Sequence, residues 1–195
     1  ASAEKIFVIL DEKPTVTDRD GAISVDEIAG EVEFKNVWFC YEPDEWVLKD
    51  VSFKVEAGQT AAFVGATGSG KTTILSLLCR NYDIQKGSIL IDGKDIYDYS
   101  VHSLRKRFGQ MLQDVFLFSG TIRTNITLGD EFSDDEIKTA CRYVNADRFI
   151  DALPDGLDHE IRERGNNLSA GQRQLLSFAR TVIHKPDVLI LDEAT

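Results

Sequence analysis

The stretch "TAAFVGATGSGKTTILSLLC", Thr60 to Cys79, decides how the chain is read. A fully apolar run leads into a glycine loop, and the loop opens an apolar helix. Within it, Gly65, Gly70, Lys71 and Thr72 fit the pattern G-x-x-x-x-G-K-[ST] in its required strand–loop–helix context. Each residue type has a physical task. Glycines let successive backbone N–H groups converge on an anion with no Cβ in the way. The start of the helix adds partial positive charge. Lys71 brings a point charge to the β- and γ-phosphates, and the Thr72 hydroxyl is a Mg²⁺ ligand type. The loop Gly65, Ala66, Thr67, Gly68, Ser69, Gly70, Lys71, Thr72 and Thr73 is therefore expected to hold a nucleotide's phosphates.

Such a loop calls for partner carboxylates. "DVLILDEAT", at the end of the chain, is a continuous apolar run of the kind found in buried parallel strands, and it delivers Asp192 and Glu193 to its C-terminal edge. Asp192 is expected to hold Mg²⁺ through water, and Glu193 to position or deprotonate an attacking water.

Around these motifs the pattern is mixed. "EVEFKNVWFCY" and "VLKDVSFKV" alternate with period two around a turn at "EPDE", which predicts two antiparallel strands. "GSILIDGKDI" reads as a further strand and turn. Residues 133–153 read as helical, with a capping box at "SDDE", where Glu136 reaches back to the helix start. "AGQRQLLSFARTVI" predicts a strong helix ended before Pro186. The first ten residues have helical spacing up to Pro14. Residues 15–30 read either as a linker or as an irregular arm packed on the domain. The order is that of an α/β fold with an inserted helical part.

Composition narrows the classes. The 33 acidic against 22 basic residues give a formal charge of −11, which disfavours a nonspecific nucleic-acid surface. Cys40, Cys79 and Cys141 form no C-x-x-C pair and read as buried, reduced thiols. No apolar run has the length of a membrane span.

A second small-residue stretch, "NNLSAGQRQ", also looks built to present backbone N–H groups: Ser169 is a good N-cap type and Gly171 permits close approach. With "LSAGQ" beside the phosphate loop, the chain resembles the nucleotide-binding domain of ATP-binding cassette (ABC) transporters, of the exporter type. The resemblance implies a phosphate-loop NTPase core with an N-terminal antiparallel β subdomain and an inserted α-helical subdomain carrying the signature. It implies that Leu168, Ser169, Ala170, Gly171 and Gln172 are that signature, with Ala170 in place of a glycine, and that they cap the γ-phosphate of ATP held by a second, head-to-tail domain.

Tyr41 sits where the family places an aromatic that stacks on adenine; the alternative is a tyrosine of the sheet face. Gln113, in "MLQDVFLFSGTI", matches the glutamine that senses Mg²⁺ and the attacking water and links to the membrane domain, with Gln110 as the neighbouring alternative. "LFSGTIRTNI" and "ERG" resemble exporter segments. The implied domain limits are a membrane-domain linker tail over 1–30 and the ATPase domain over 31–195, its helical part over about 114–184. The implied cofactors are ATP and Mg²⁺, and the implied partners are a second nucleotide-binding domain and the transporter's transmembrane domain at the cytoplasmic face. No nucleic acid is expected.

The family's D-loop and switch histidine lie beyond Asp192, whereas His102, His159 and His184 all precede it. The chain thus reads as a truncated piece, expected to bind ATP poorly, to turn it over slowly and to leave an apolar edge exposed beside the last strand. Two competitors share the motifs: a soluble cassette ATPase of DNA repair or translation, and a low-turnover nucleotide-dependent interaction module. The exporter-like segments and acidic charge argue against the first, and Glu193 against the second.

Overall fold

The computed structural model describes residues 6–8, 10–111 and 115–192. The chain divides into two compact units, Ala1–Arg105 and Lys106–Thr195.

The first unit is built on an antiparallel sheet of order β2-β1-β3-β4, with β1 Val32–Cys40, β2 Trp46–Val55, β3 Lys86–Ile91 and β4 Lys94–Asp95. The expected hairpin of β1 and β2 is present, pairing Val32 with Val55, Phe34 with Phe53 and Phe39 with Leu48. Phe34 and Val37 both point to the buried face although they are three residues apart. Strict alternation breaks because Asn36 adopts φ 48° and the register shifts beside it, the mark of a bulge. Asn36 Nδ2 donates to Asp50 Oδ1 at 2.8 Å and fixes the bulge to β2. Gly87 on β3 runs against the bulge, where a Cβ would come within 2.4 Å of the Lys35 and Asn36 carbonyl oxygens. The turn from β3 to β4 is Asp92–Gly93, both at positive φ, as a tight hairpin requires.

Helix α1, Lys71–Leu78, follows the glycine loop and buries Thr73, Leu77 and Leu78. Its C-terminal carbonyls are satisfied by Arg105, at the end of α2 Val101–Arg105. Arg105 donates from Nε to the Cys79 oxygen at 3.1 Å and from Nη2 to the Arg80 oxygen at 2.6 Å. Cations suit this end of a helix.

Of the two readings of residues 15–30, the structure has the packed arm. Ile23 bridges to Tyr99 in parallel, Asp18 Oδ1 accepts from the Val101 N–H at 2.7 Å, and Asp92 accepts from the Ala29 and Glu31 N–H groups. That backbone hydrogen bond, with Ser100 and nearby cations, holds the Asp18 carboxyl below the usual aspartate range. Residues 6–8 and 10 are helical, within the stretch expected to be so.

The second unit pairs β5 Phe108–Met111 in parallel with β8 Val188–Leu191, and β6 Gly120–Thr121 with β7 Glu160–Ile161 antiparallel. Among the described residues the α-helices of this unit are α3 Ile122–Thr127, α4 Asp134–Tyr143, α5 Asp147–Ile150 and α6 Ala170–Ile183. Their apolar faces meet in one core that includes Leu117, Ile122, Ile126, Ile137, Leu176 and Ile183. Each fully buried aliphatic side chain contributes about 1.5–3 kcal/mol relative to exposure. The Ser133–Glu136 capping box forms at the start of α4 as expected, and α6 spans the helix read from "AGQRQLLSFARTVI".

Two sequence expectations need correction. The apolar run before the glycine loop is not a strand: residues 60–66 pair with no described strand, and Val64 is 95 % exposed. The run has the composition of a buried strand, but strand geometry is held by a ladder, and no described strand supplies one. Likewise β8 is not buried throughout. Ile190 is 3 % exposed, whereas Leu189 and Leu191 are 42 % and 46 % exposed. All three cysteines are free and buried, as read from their apolar surroundings.

Candidate functional site

In the first unit the glycine loop lies open. Residues 65–69 are exposed, and the chain closes into α1 only at Gly70, whose φ of 90° serves as the helix N-cap with no side-chain cap. Gly70 is required twice over. Its backbone is left-handed, and a Cβ there would come within 2.7 Å of Leu48 Cδ2 on β2. Gly68 is also left-handed, at φ 82°. Ala66 accepts from the Ser69 N–H at 3.1 Å, which folds Thr67 and Gly68 into a turn. Lys71 curls back over the loop, its Nζ donating to the Gly65 oxygen at 2.8 Å and the Ala66 oxygen at 3.1 Å. A lysine held on two carbonyls is a cation already centred on the loop's mouth. With the amide ends of α1, the arrangement is chemically an anion cradle.

Tyr41 follows β1 and belongs to the same unit. Its hydroxyl lies 3.1 Å from the Thr73 hydroxyl on α1, while its ring is half exposed. Phe39 and Tyr82 stand perpendicular to it, with centroids 4.8 and 5.1 Å away. Phe39, almost fully buried, anchors the cluster. Thr72 is exposed on the first turn of α1.

The other candidate residues lie in the second unit. Asp192 follows β8, its N–H donating to the Met111 oxygen at 3.1 Å, so it is set at the edge where β5 and β8 end. Glu193 and Gln113 lie outside the described residues; Gln110, the alternative to Gln113, is on β5 paired with Ile190. The signature stretch opens α6. Ser169 is its N-cap and accepts from the Gln172 N–H at 3.2 Å, while Gln172 Oε1 accepts from the Ser169 N–H at 2.8 Å. Leu168 is buried beneath the cap, and Arg173 Nη1 donates to its carbonyl at 2.9 Å. Ala170 and Gly171 are exposed, and a Cβ at Gly171 would meet nothing within 4 Å. The cap thus uses the Gln172 amide internally and turns Ala170 and Gly171 outward.

Several residues that shape the site carried no readable signal. Arg80 is 1 % exposed just after α1, donating to the Tyr99 and Thr17 carbonyls. Arg180 on α6 donates from Nε to the Asn125 oxygen at 2.7 Å and from Nη1 to the Phe116 oxygen at 3.1 Å. Burial lowers the pKa of that guanidinium. Asn125, itself buried, clamps Phe118 through both its N–H and its carbonyl. The helix that opens with Ser169 is therefore tied to the segment that follows Gln113. The rings of Phe116 and Phe118 nonetheless stay exposed and lie 5.0 Å apart. Among the described residues, no group of three or more metal-ligating side chains occurs, and no helix is long and apolar enough to cross a membrane.

A glycine cradle opening a helix, in a mixed α/β chain with an antiparallel sheet, defines a phosphate-loop NTPase fold. Over residues 48–195 the sequence matches the ABC transporter family, and the chain belongs to it. Its full length aligns with an ABC transporter ATP-binding protein of Bacillus subtilis, YknV, at 50 % identity over 196 residues, covering 32 % of that protein. It aligns at 44 % over 196 residues with an ATP-dependent lipid A-core flippase of Syntrophus aciditrophicus and with a fatty acid ABC transporter ATP-binding/permease protein of Mycobacterium tuberculosis, covering 100 % of this chain in each case and 32 % and 31 % of the two relatives. The solved structure of a bacterial Atm1-family ABC exporter with ATP bound superposes with a TM-score of 0.93 at 40 % identity, covering 99 % of this chain and 34 % of that one. The chain thus spans about a third of the length of the relatives it matches.

Proposed function

We propose that this chain is the ATP-binding and ATP-hydrolysing part of a membrane exporter. The observation that carries the reading is the Lys71 ammonium held over the Gly65 and Ala66 carbonyls at the mouth of an uncapped helix. An entering polyphosphate exchanges those carbonyls for γ- and β-phosphate oxygens, and the α1 amides accept the rest of its charge. Tyr41 stacks on the adenine. Thr72, Gln113 and Asp192 offer the hydroxyl, amide and carboxylate oxygens that Mg²⁺ takes, Asp192 through water. Bound Mg²⁺ would screen charge between the phosphates. Glu193 then orients or deprotonates the attacking water.

The signature Leu168–Gln172 serves a second copy or a related domain, head to tail. The outward-facing Ala170 and Gly171 at the start of α6 support this, since a helix start free of side-chain bulk suits an anion arriving from outside. Ala170 adds one methyl to that surface. The helices between Ile122 and Ile183 form the inserted helical subdomain of this reading.

A transmembrane domain is the further partner. The exposed Phe116–Phe118 pair after Gln113 supports a contact face there, and Arg180 ties that face to the signature helix. The domain would then work at the cytoplasmic face of the membrane, and the cargo is set by segments outside this chain. Hydrolysis and phosphate release reopen the pair of domains.

Substituting Glu193→Gln in the full-length protein tests this directly. ATP hydrolysis should fall by about 10²-fold or more, in the range of a lost general base, and an ATP-dependent dimer should accumulate in light scattering. Unchanged hydrolysis and mass would refute the assignment and favour a nucleotide-dependent interaction module.

A further inference from the structure

We infer that Tyr82 is a positioning residue for the nucleobase, forming with Tyr41 a two-walled aromatic corner that makes the site read the base as well as the phosphates. The inference rests on the proposed stacking role of Tyr41.

The two rings are nearly perpendicular, at 85°, with centroids 5.1 Å apart. Both remain about half exposed, at 49 % for Tyr41 and 46 % for Tyr82. A planar base lying parallel to Tyr41 necessarily lies perpendicular to Tyr82, in the edge-to-face relation that aromatic quadrupoles favour. Phe39 fixes both walls from beneath: it stands at 87° to Tyr41 and packs against Tyr82 with centroids 5.7 Å apart. The Tyr41 hydroxyl is spent on Thr73, so the side chain cannot swing away without breaking that bond. Tyr82 lies only a few residues beyond the end of α1, so the second wall is carried by the same segment that holds the phosphate loop. A nucleotide spanning loop and corner would thus meet residues of one continuous stretch at both ends. The corner fits any planar purine, and its chemistry calls for no hydrogen-bonding pattern specific to adenine.

The test compares binding of ATP and of inorganic tripolyphosphate to the full-length protein by calorimetry, for the wild type and for Tyr82→Leu, Tyr82→Phe and Tyr41→Ala. Tyr82→Leu keeps apolar bulk without a ring. It should weaken ATP roughly three- to tenfold, the scale of one aromatic pair, and leave tripolyphosphate unchanged. Tyr82→Phe should bind both ligands like the wild type. Equal weakening of both ligands by Tyr82→Leu would mean that the residue only supports the fold, and would overturn the inference. If Tyr41→Ala loses the preference for ATP while Tyr82→Leu keeps it, Tyr82 is not part of the site although Tyr41 is. If neither variant changes the preference, the base does not bind at this cluster and the Tyr41 assignment falls as well.

Discussion

The hydroxyl of Tyr41 lies 3.1 Å from that of Thr73, so an aromatic at the end of β1 is tied to the first turn of the phosphate-loop helix. The bond fixes where a base can stack relative to where its phosphates sit. Tyr41→Phe removes the tie but keeps the ring, and should cost about 1 kcal/mol of stability or less at this partly exposed site with ATP affinity nearly retained. Tyr41→Ala removes the stacking surface and should weaken ATP about tenfold. Titration of both variants with a fluorescent ATP analogue checks the order.

Gly70 stands where no side chain fits. Its φ is 90°, and a Cβ would press on the buried Leu48. Gly70→Ala should destabilise the first unit by about 1–3 kcal/mol and displace the Lys71 backbone. Thermal melting should show the loss, and pairing the change with Leu48→Ala should relieve the contact but not the backbone strain.

Ser169 carries two separable duties in this account, the cap of α6 and the surface offered to a partner's phosphate. Ser169→Ala should cost about 1 kcal/mol of stability. Ser169→Asp keeps a good cap and so should melt near the wild type, yet it places a negative charge before the arriving γ-phosphate. Hydrolysis and ATP-dependent dimerisation should collapse in the Asp variant despite its near-wild-type stability. Full activity of Ser169→Asp would refute the partner role.

Acid should loosen the second unit through two carboxylates. The Ser133 backbone N–H and hydroxyl hold Glu136 below the usual glutamate range, and the Arg123 guanidinium holds Asp158 below the aspartate one. A carboxyl whose folded pKa is depressed adds stability that is present above its unfolded pKa, near 4, and lost as pH falls through the folded value. Glu136→Gln keeps the capping geometry but removes one titrating group. The drop in melting temperature from about pH 5 to about pH 3 should therefore be shallower in that variant than in the wild type.

Much of this was readable in the residues because it is local. Period-two alternation placed β1 and β2, Asp92–Gly93 forced its turn, and Ser133 and Ser169 marked helix starts through bonds three residues long. What was not readable is long-range. The arm is held by side chain to backbone bonds such as Asp18 to Val101 and Thr17 to Arg80, separated by scores of residues and leaving no periodic trace. Arg80 sits just past a helix end, where a cation is ordinarily solvated. Its burial depends on the Tyr99 and Thr17 carbonyls and on the Tyr97 ring 4.8 Å away, none of which a local pattern announces. The run ending at Val64 failed in the opposite sense: its composition was that of a core strand, but a strand also needs neighbours.

Whether the cradle around Lys71 holds a nucleotide's phosphates is tested most directly by equilibrium titration of ATP into the full-length protein and its Lys71→Ala variant, with thermal melts confirming that both are folded. The wild type should bind saturably and the variant at least tenfold more weakly, in keeping with a charge-assisted contact worth about 1.5–3 kcal/mol. Equal affinity in the two folded proteins would contradict it.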